Sequence, residues 1–255
     1  MNSHNLSGPP INENLLICLK NNPLAKVKII CFPFAGGGAS FFYKWIDKIH
    51  DSVEIYSIAL PGRESRLKEM PFEHYEPLVH SLSKNIMRQL GDEELIFFGH
   101  SLGSIISFEV SHYLMEHYNK VPLRLFVSSC KAPRYFNNTE KLSNLTKLDL
   151  INKLKDINGT PHEILESEEL LDFYLPIIKS DFKICDSYKY YHDNKILHCP
   201  ITAIGGTKDN IKIEDLNNWS VETDELFEVQ LFEGDHFYLV DNHKYIIESI
   251  LKSIY

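Results

Sequence analysis

No apolar run in this 255-residue chain approaches the ~18 residues that a membrane-spanning helix needs. The one early apolar stretch, Leu15 to Leu19, is short and has no basic residue before it, so a secretion signal is not expected. Cysteine is scarce and unpaired in pattern: Cys18, Cys31, Cys130, Cys185 and Cys199 are odd in number, widely spaced and without a Cys-x-x-Cys. That speaks against a disulfide scaffold or a zinc ribbon, and free thiols in a reducing cytoplasm are the expectation. Positive charge is also short. With 26 Lys and Arg against 35 Asp and Glu the net charge is -9, so no basic face for nucleic acid is expected. Internal repeats and low-complexity tracts are absent. The glycines form neither a Gly-Lys-Ser/Thr loop nor a full Gly-x-Gly-x-x-Gly fingerprint, which removes the usual nucleotide-binding signatures.

What remains is globular: 44% hydrophobic and 24% charged residues, enough for one sizeable core. Residues 1–22 read as a polar leader and 23–255 as a single domain. Strand patterns occur at Val27–Phe32, Val53–Ala59, Leu95–Phe98, Leu123–Ser128, Ile201–Ile204 and Leu226–Leu231. Helical patterns lie between and after them, at Ser40–His50, Tyr75–Leu90, Leu102–Tyr118, Ile213–Trp219 and Asn242–Lys252. In the Leu102 helix, Ile106, Val110, Tyr113, Leu114 and His117 share one face. Such alternation predicts an α/β fold with a mostly parallel sheet covered on both faces. Residues 131–200 break the alternation and are too long for a structureless loop. Thr146 and Asp149 suggest a capping box there, and Ser167 to Ile178 a second helix disturbed by Pro176. A helical insertion above the sheet is expected.

The chemistry concentrates around Gly99-His100-Ser101-Leu102-Gly103, where a strand pattern gives way to a helix pattern. Gly-x-Ser-x-Gly at such a junction is the signature of a nucleophile elbow, a tight turn that lifts the serine above an α/β-hydrolase sheet. The following helix N-terminus favours negative charge near Ser101, and the Leu102 N–H is a natural oxyanion donor. A serine needs a base, and in this fold an acid and then a histidine follow in chain order, each after a later strand. Of the 12 histidines, His236 in "LFEGDHFYLV" has that position. His100 adjoins the serine but points away across the turn, and His198 precedes a strand. Asp209 in "CPITAIGGTKDN" follows the strand before and would orient the His236 ring. Asp235 is a rival only by proximity, and Asp241 belongs to the start of the last helix. The second oxyanion donor is expected from "CFPFAGGGAS", from the N–H of Phe34 or Ala35, between which the sequence does not choose.

With these pieces in view the chain resembles the stand-alone type II thioesterases of nonribosomal peptide and polyketide synthesis. The likeness runs from about Lys28 to Leu239, through "CFPFAGGGAS", "ALPGRESR", "FFGHSLG", "NGTPHEIL", "LPIIKSDFKICDSYKYY", "CPITAIGGTKD" and "GDHFYL". The resemblance implies Ser101, Asp209 and His236 as the triad and a helical lid within residues 131–200. It implies hydrolysis of acyl or aminoacyl thioesters on the 4′-phosphopantetheine arm of carrier proteins, an editing role, with no metal or dissociable cofactor. Two positions depart from the commonest form: Phe34 stands where histidine is frequent, and Asp235 replaces a glycine, adding negative charge beside His236.

Carrier proteins are commonly acidic, so a net negative enzyme needs a local basic patch to dock one. Arg63, Arg66 and Lys68 after the second strand, with Lys131 and Arg134 after the fourth, are candidates, against the plain alternative of solvated surface charges. The expected partner is an acyl or peptidyl carrier protein, with no nucleic acid and no membrane, and the enzyme itself a monomer. Competing functions are a general carboxylesterase or lipase, an acyltransferase, and a noncatalytic carrier-binding module.

Overall fold

The computed structural model describes residues 14–50, 52–136, 141–157, 162–193 and 195–254. Seven strands form one sheet: β1 (Leu16–Lys20), β2 (Val27–Phe32), β3 (Val53–Ile58), β4 (Glu94–His100), β5 (Arg124–Ser128), β6 (Ile201–Gly206) and β7 (Phe227–Phe232). Their order is β1-β3-β2-β4-β5-β6-β7; only the β1–β3 pair is antiparallel. Every residue of β2 and β6 is buried, as strands covered on both faces require.

Among the described residues seven α-helices accompany them: α1 (Tyr75–Leu90), α2 (Leu102–Tyr118), α3 (Lys147–Ile157), α4 (His162–Glu166), α5 (Glu168–Ser187), α6 (Ile213–Asn217) and α7 (Leu239–Lys252). One core is built where Leu78, Leu82 and Ile86 of α1 meet Ile106, Val110 and Leu114 of α2 against the sheet. The other joins Ile246, Ile247 and Ile250 of α7 to Phe42 and Trp45. Mostly parallel strands with helices on both faces make an α/β fold, and the order β1-β3-β2-β4-β5-β6-β7 with an antiparallel edge strand agrees with the expected α/β-hydrolase architecture.

Several expectations need correction. Residues 16–20, read as part of a polar leader, form edge strand β1, because Leu16 and Cys18 pair across to Ile58 and Tyr56 and Leu15 and Leu16 are buried. The rest of that leader, 1–13, lies outside the described residues. The segment expected as a helix at Ser40–His50 is a 3-10 helix, Ala39–Lys48. The face of α2 shared by Ile106, Val110, Tyr113, Leu114 and His117 stands, buried at Ile106, Val110 and Leu114 and exposed at His117, and burial also reaches Ser104, Ser107 and Ser111. Their hydroxyls are satisfied locally, Ser107 by the Ser104 carbonyl and Ser111 by the Ser107 carbonyl, so burial leaves no orphaned donor.

Among the described residues between β5 and β6 lie α3, α4 and α5, with two short 3-10 turns before them. Thr146 caps α3 by accepting the Asp149 N–H at 3.2 Å, while its hydroxyl donates to the Asp149 carboxylate. Ser167 caps α5 by accepting the Leu170 N–H. Pro176 does not end α5, which continues to Ser187. Pro176 and Asp172, four residues before it, are both exposed, so water can meet the Asp172 carbonyl that proline leaves unpaired. Leu171, Leu175, Ile178 and Phe182 on the opposite face pack with Leu150 and Leu154 of α3 and outweigh the lost bond. The expected Gly159-Thr160-Pro161 motif lies outside the described residues.

Candidate active site

Ser101 stands where β4 becomes α2. Its backbone has φ 54° and ψ -115°, a conformation that costs a non-glycine residue of order 1–3 kcal/mol. The strain is held by the Ser101 N–H bond to the Ser128 carbonyl at 2.8 Å and by close crossing of the two glycines. A Cβ on Gly99 would lie 2.6 Å from the Ser104 nitrogen, and one on Gly103 2.8 Å from the Pro33 oxygen. Only glycine lets α2 start this close to β4 and to the end of β2.

His236 follows β7, and Asp209 follows β6. The two Asp209 oxygens are each 3.1 Å from His236 Nδ1. With an ionised carboxylate as partner, Nδ1 carries the proton and Nε2 is left as an acceptor. Burial pushes the Asp209 carboxyl up, but the bond and charge of His236, the Ser129 hydroxyl and the Ile211 N–H outweigh it and hold the group below its ordinary value. Asp209 is therefore ionised throughout the neutral range. Asp235, the rival acid, turns its carboxylate to the Phe237 N–H at 2.9 Å.

His100 is fully buried. Burial first, and the neighbouring His236 second, drive its pKa well below the ordinary value, so it stays neutral. Its Nδ1 meets the Ser128 hydroxyl at 2.7 Å, which in turn meets the Tyr238 hydroxyl at 2.6 Å. Sequence reading missed this network and the Ser129 hydroxyl. His100 and Tyr238 lie in the elbow and in "GDHFYL", but Ser128 and Ser129 sit in no motif, and only the pairing of β4 with β5 brings Ser128 beside His100.

Ser101 and His236 line one cavity of about 570 Å³, bounded on one side by Phe34, Ala35 and Phe237 and on the other by Tyr174, Ile178 and Phe182 of α5. Phe34 packs edge-on against Phe41, Phe237 and His100, so where histidine was noted as frequent this chain has an aromatic wall. Phe34 to Gly37 is a tight turn closed by the Gly37 N–H to Phe34 carbonyl bond at 2.9 Å, with Gly36 at φ 81°. The Gly36 N–H is occupied by Asp181 at 2.6 Å. The amides of Phe34, Ala35 and Leu102 have no partner among the described residues and are free to serve as donors.

The five cations expected to form a docking patch do not form one. Arg63 is 5% exposed and makes paired bonds of 2.6 and 2.7 Å to Asp181, itself 1% exposed. Arg66 is buried, bonded to Glu69 and to the Ala59 carbonyl. A guanidinium taken out of water needs such partners, so neither offers charge to a second protein. Arg134 is spread over Tyr190 and turned to Glu222, and Lys131 lies 3.3 Å from Asp215. Lys68 alone of the five is exposed without an ion pair among the described residues.

Among the described residues one cluster has metal-ligand chemistry: His112, Glu116 and His192. The two rings stack face to face, centroids 3.8 Å apart and planes 12° apart, so their in-plane lone pairs do not converge. His192 Nε2 is engaged by Glu109, and Glu116 by Lys195. We assign it no metal. All five cysteines are free thiols, and no helix among the described residues is long and apolar enough to cross a membrane.

A model of the thioesterase domain family matches residues 27–254. Gramicidin S biosynthesis protein GrsT of Aneurinibacillus migulanus is 36% identical over 234 residues, 91% of each chain. The medium-chain S-acyl fatty acid synthase thioesterase of Rattus norvegicus is 36% identical over 250 residues, 96% of this chain and 94% of that one. Among solved structures, the type II thioesterase BorB from the borrelidin biosynthetic cluster superposes with a TM-score of 0.85 at 27% identity, covering 94% of this chain and 98% of its own.

Proposed function

This chain belongs to the thioesterase domain family, and from that premise we propose that it is a stand-alone, cytoplasmic type II thioesterase. It releases acyl groups from the phosphopantetheine arm of carrier proteins in nonribosomal peptide or polyketide synthesis, clearing carriers that hold the wrong group. One observation carries the reading: a serine on a strained elbow and a histidine held by a buried, ionised aspartate open into the same largely apolar cavity.

Ser101 attacks the thioester carbonyl while His236 Nε2 takes the hydroxyl proton. Asp209 stabilises the imidazolium that forms and keeps the ring in the tautomer the step requires. The oxyanion is held by the Leu102 and Ala35 amides, donors already fixed before charge develops. His236 then protonates the departing thiolate, and water enters by the same route to release the acid. Residues 131–200 act as the lid of the acyl cavity, since α5 supplies Tyr174, Ile178 and Phe182 to its wall. Two likenesses support the substrate assignment: to GrsT, named for gramicidin S biosynthesis, and to BorB, a type II thioesterase of the borrelidin cluster.

The test compares hydrolysis of an acetyl-loaded carrier protein with the same acyl group on free pantetheine and on a simple oxygen ester, with Ser101→Ala as control. A strong preference for the carrier-bound thioester, lost in the variant, is expected. Equal rates on all three substrates would instead mean a general esterase, and carrier binding without turnover a binding module.

A further inference from the structure

Arg63 and Asp181 touch no reacting atom, yet together they grip the turn that offers an oxyanion donor. Asp181 comes from α5 and accepts the Gly36 N–H at 2.6 Å. Arg63 donates to both Asp181 oxygens and, through the same nitrogen that meets Oδ2, to the Gly37 carbonyl at 2.9 Å. The next residue, Glu64, holds the other end: its carboxylate accepts the Ala39 and Ser40 amides at 3.0 Å each. The turn is thus pinned at successive peptides from 36 to 40.

Consequences follow from peptide planarity. The Phe34 carbonyl and the Ala35 N–H belong to one rigid unit and point in opposite directions. Because the Phe34 carbonyl is turned inward to Gly37, the Ala35 N–H is turned out of the turn. That orientation lasts only while the Gly36 and Gly37 peptides stay where Asp181 and Arg63 hold them. The helix that supplies Asp181 also packs on the turn directly: a Cβ on Gly36 would lie 2.8 Å from Ile178 Cγ1. Ile178 and Phe182 of that helix line the cavity.

We infer that the buried Arg63–Asp181 pair is a positioning device that orients the Ala35 amide toward the oxyanion and makes that orientation depend on how α5 is seated. The inference rests on the thioesterase reading of the site. Burial is what makes the device stiff, since in water the same pair would be screened and exchange partners. It also explains why two arginines of the same loop differ in use: Arg66 is bonded to Glu69 and to the Ala59 and Asn14 carbonyls and does not touch the glycine turn, whereas Arg63 joins that turn to α5, 118 residues along the chain.

The deciding variant is Arg63→Met with Asp181→Leu, which removes both charges together and so strands neither; such replacements are often neutral or stabilising. Asp181→Asn serves as the second variant: its amide oxygen can still accept the Gly36 N–H, but it leaves the buried Arg63 guanidinium without its counter-charge, so a lowered midpoint is expected for it. Three quantities are read on each: kcat and KM for an acyl thioester, the unfolding midpoint, and the affinity of an alkyl boronic acid whose tetrahedral adduct on Ser101 puts an oxygen in the oxyanion site. In the double variant kcat and boronate affinity are expected to fall together by roughly 10- to 100-fold, with KM within about threefold and the midpoint held. Asp181→Asn should lose less of both. Unchanged kcat and boronate affinity would overturn the inference, as would a fall in kcat that only tracks the folded fraction. If the double variant does not fold, Asp181→Asn decides by the same readouts. Failure of the wild type to hydrolyse any thioester would instead refute the functional reading, while boronate affinity would still report on the turn.

Discussion

Replacing Gly103 by alanine tests whether the elbow works by close approach or merely tolerates it. The added Cβ would lie 2.6 Å from the Phe32 carbonyl carbon and 2.8 Å from the Pro33 oxygen, and nearer still to the Phe32 oxygen. All three are backbone atoms of β2 and the residue after it, so no side chain can swing aside. Relief requires the first turn of α2 to move on the order of 1 Å, and a misplacement of that size in a catalytic array costs about 10²-fold in rate. Overpacking costs about 1–3 kcal/mol, which the better helix propensity of alanine offsets by up to about 1 kcal/mol. With the full offset the net is about 0–2 kcal/mol, which at roughly 2–4 °C per kcal/mol for a chain of this size lowers the midpoint by up to roughly 8 °C. The assay is kcat on an acyl thioester beside thermal unfolding, with Gly205→Ala as comparison. There the added Cβ meets only the tip of the Leu216 side chain at 2.6 Å, which can rotate away, so kcat should stay within a few-fold. Full activity and an unchanged midpoint in Gly103→Ala would refute the reasoning, since nothing else in the elbow could absorb a backbone clash.

Asp209→Asn should lower kcat on the order of 10⁴-fold with little change in KM, because an amide can present its NH₂ to Nδ1 and leave the ring in the wrong tautomer; a loss under tenfold would remove Asp209 from the triad. A separate expectation concerns acid. Burial, then the nearby His192 and Lys195, lower the His112 pKa to about 3, below its unfolded value near 6.5. The unfolded state therefore binds the proton that the folded state refuses. The stability contributed by neutral His112 is whole above pH ~6.5 and is lost as pH falls toward about 3. His112→Phe keeps a ring edge-on to Phe108 and stacked on His192, so its unfolding midpoint should fall less steeply than the wild type over that window; parallel slopes would contradict the assignment.

Much of the site was legible because it depends on local pattern and chain order. Glycines flanking Ser101 at a strand-to-helix change, Asp209 after β6 and His236 after β7 need only the periodicity of neighbouring segments to be noticed. The charged residues were not legible in that way. Arg63 and Lys68 look alike in the sequence, and only packing tells that Arg63 lies beneath the glycine turn while Lys68 faces water. Pro176 misled for the same reason: its local cost is real, but the apolar face of α5 outweighs it. Residues 16–20 misled by shortness, since a five-residue strand at a sheet edge has little pattern to show.

By itself the sequence determined the alternation of strands and helices, the parallel sheet that alternation implies, and the order of serine, acid and histidine along it. These follow from side-chain periodicity and from turns of a few residues, which act over short spans of chain. Only the tertiary structure decided which carboxylate reaches His236, that His100 is held neutral in a buried network with Ser128 and Tyr238, and that Arg63 is joined to Asp181. Those partners are separated by 27 to 118 residues. No periodicity links positions so far apart, and they meet because the sheet's strand order and the seat of α5 bring them together, where burial makes an unpaired charge too costly to leave.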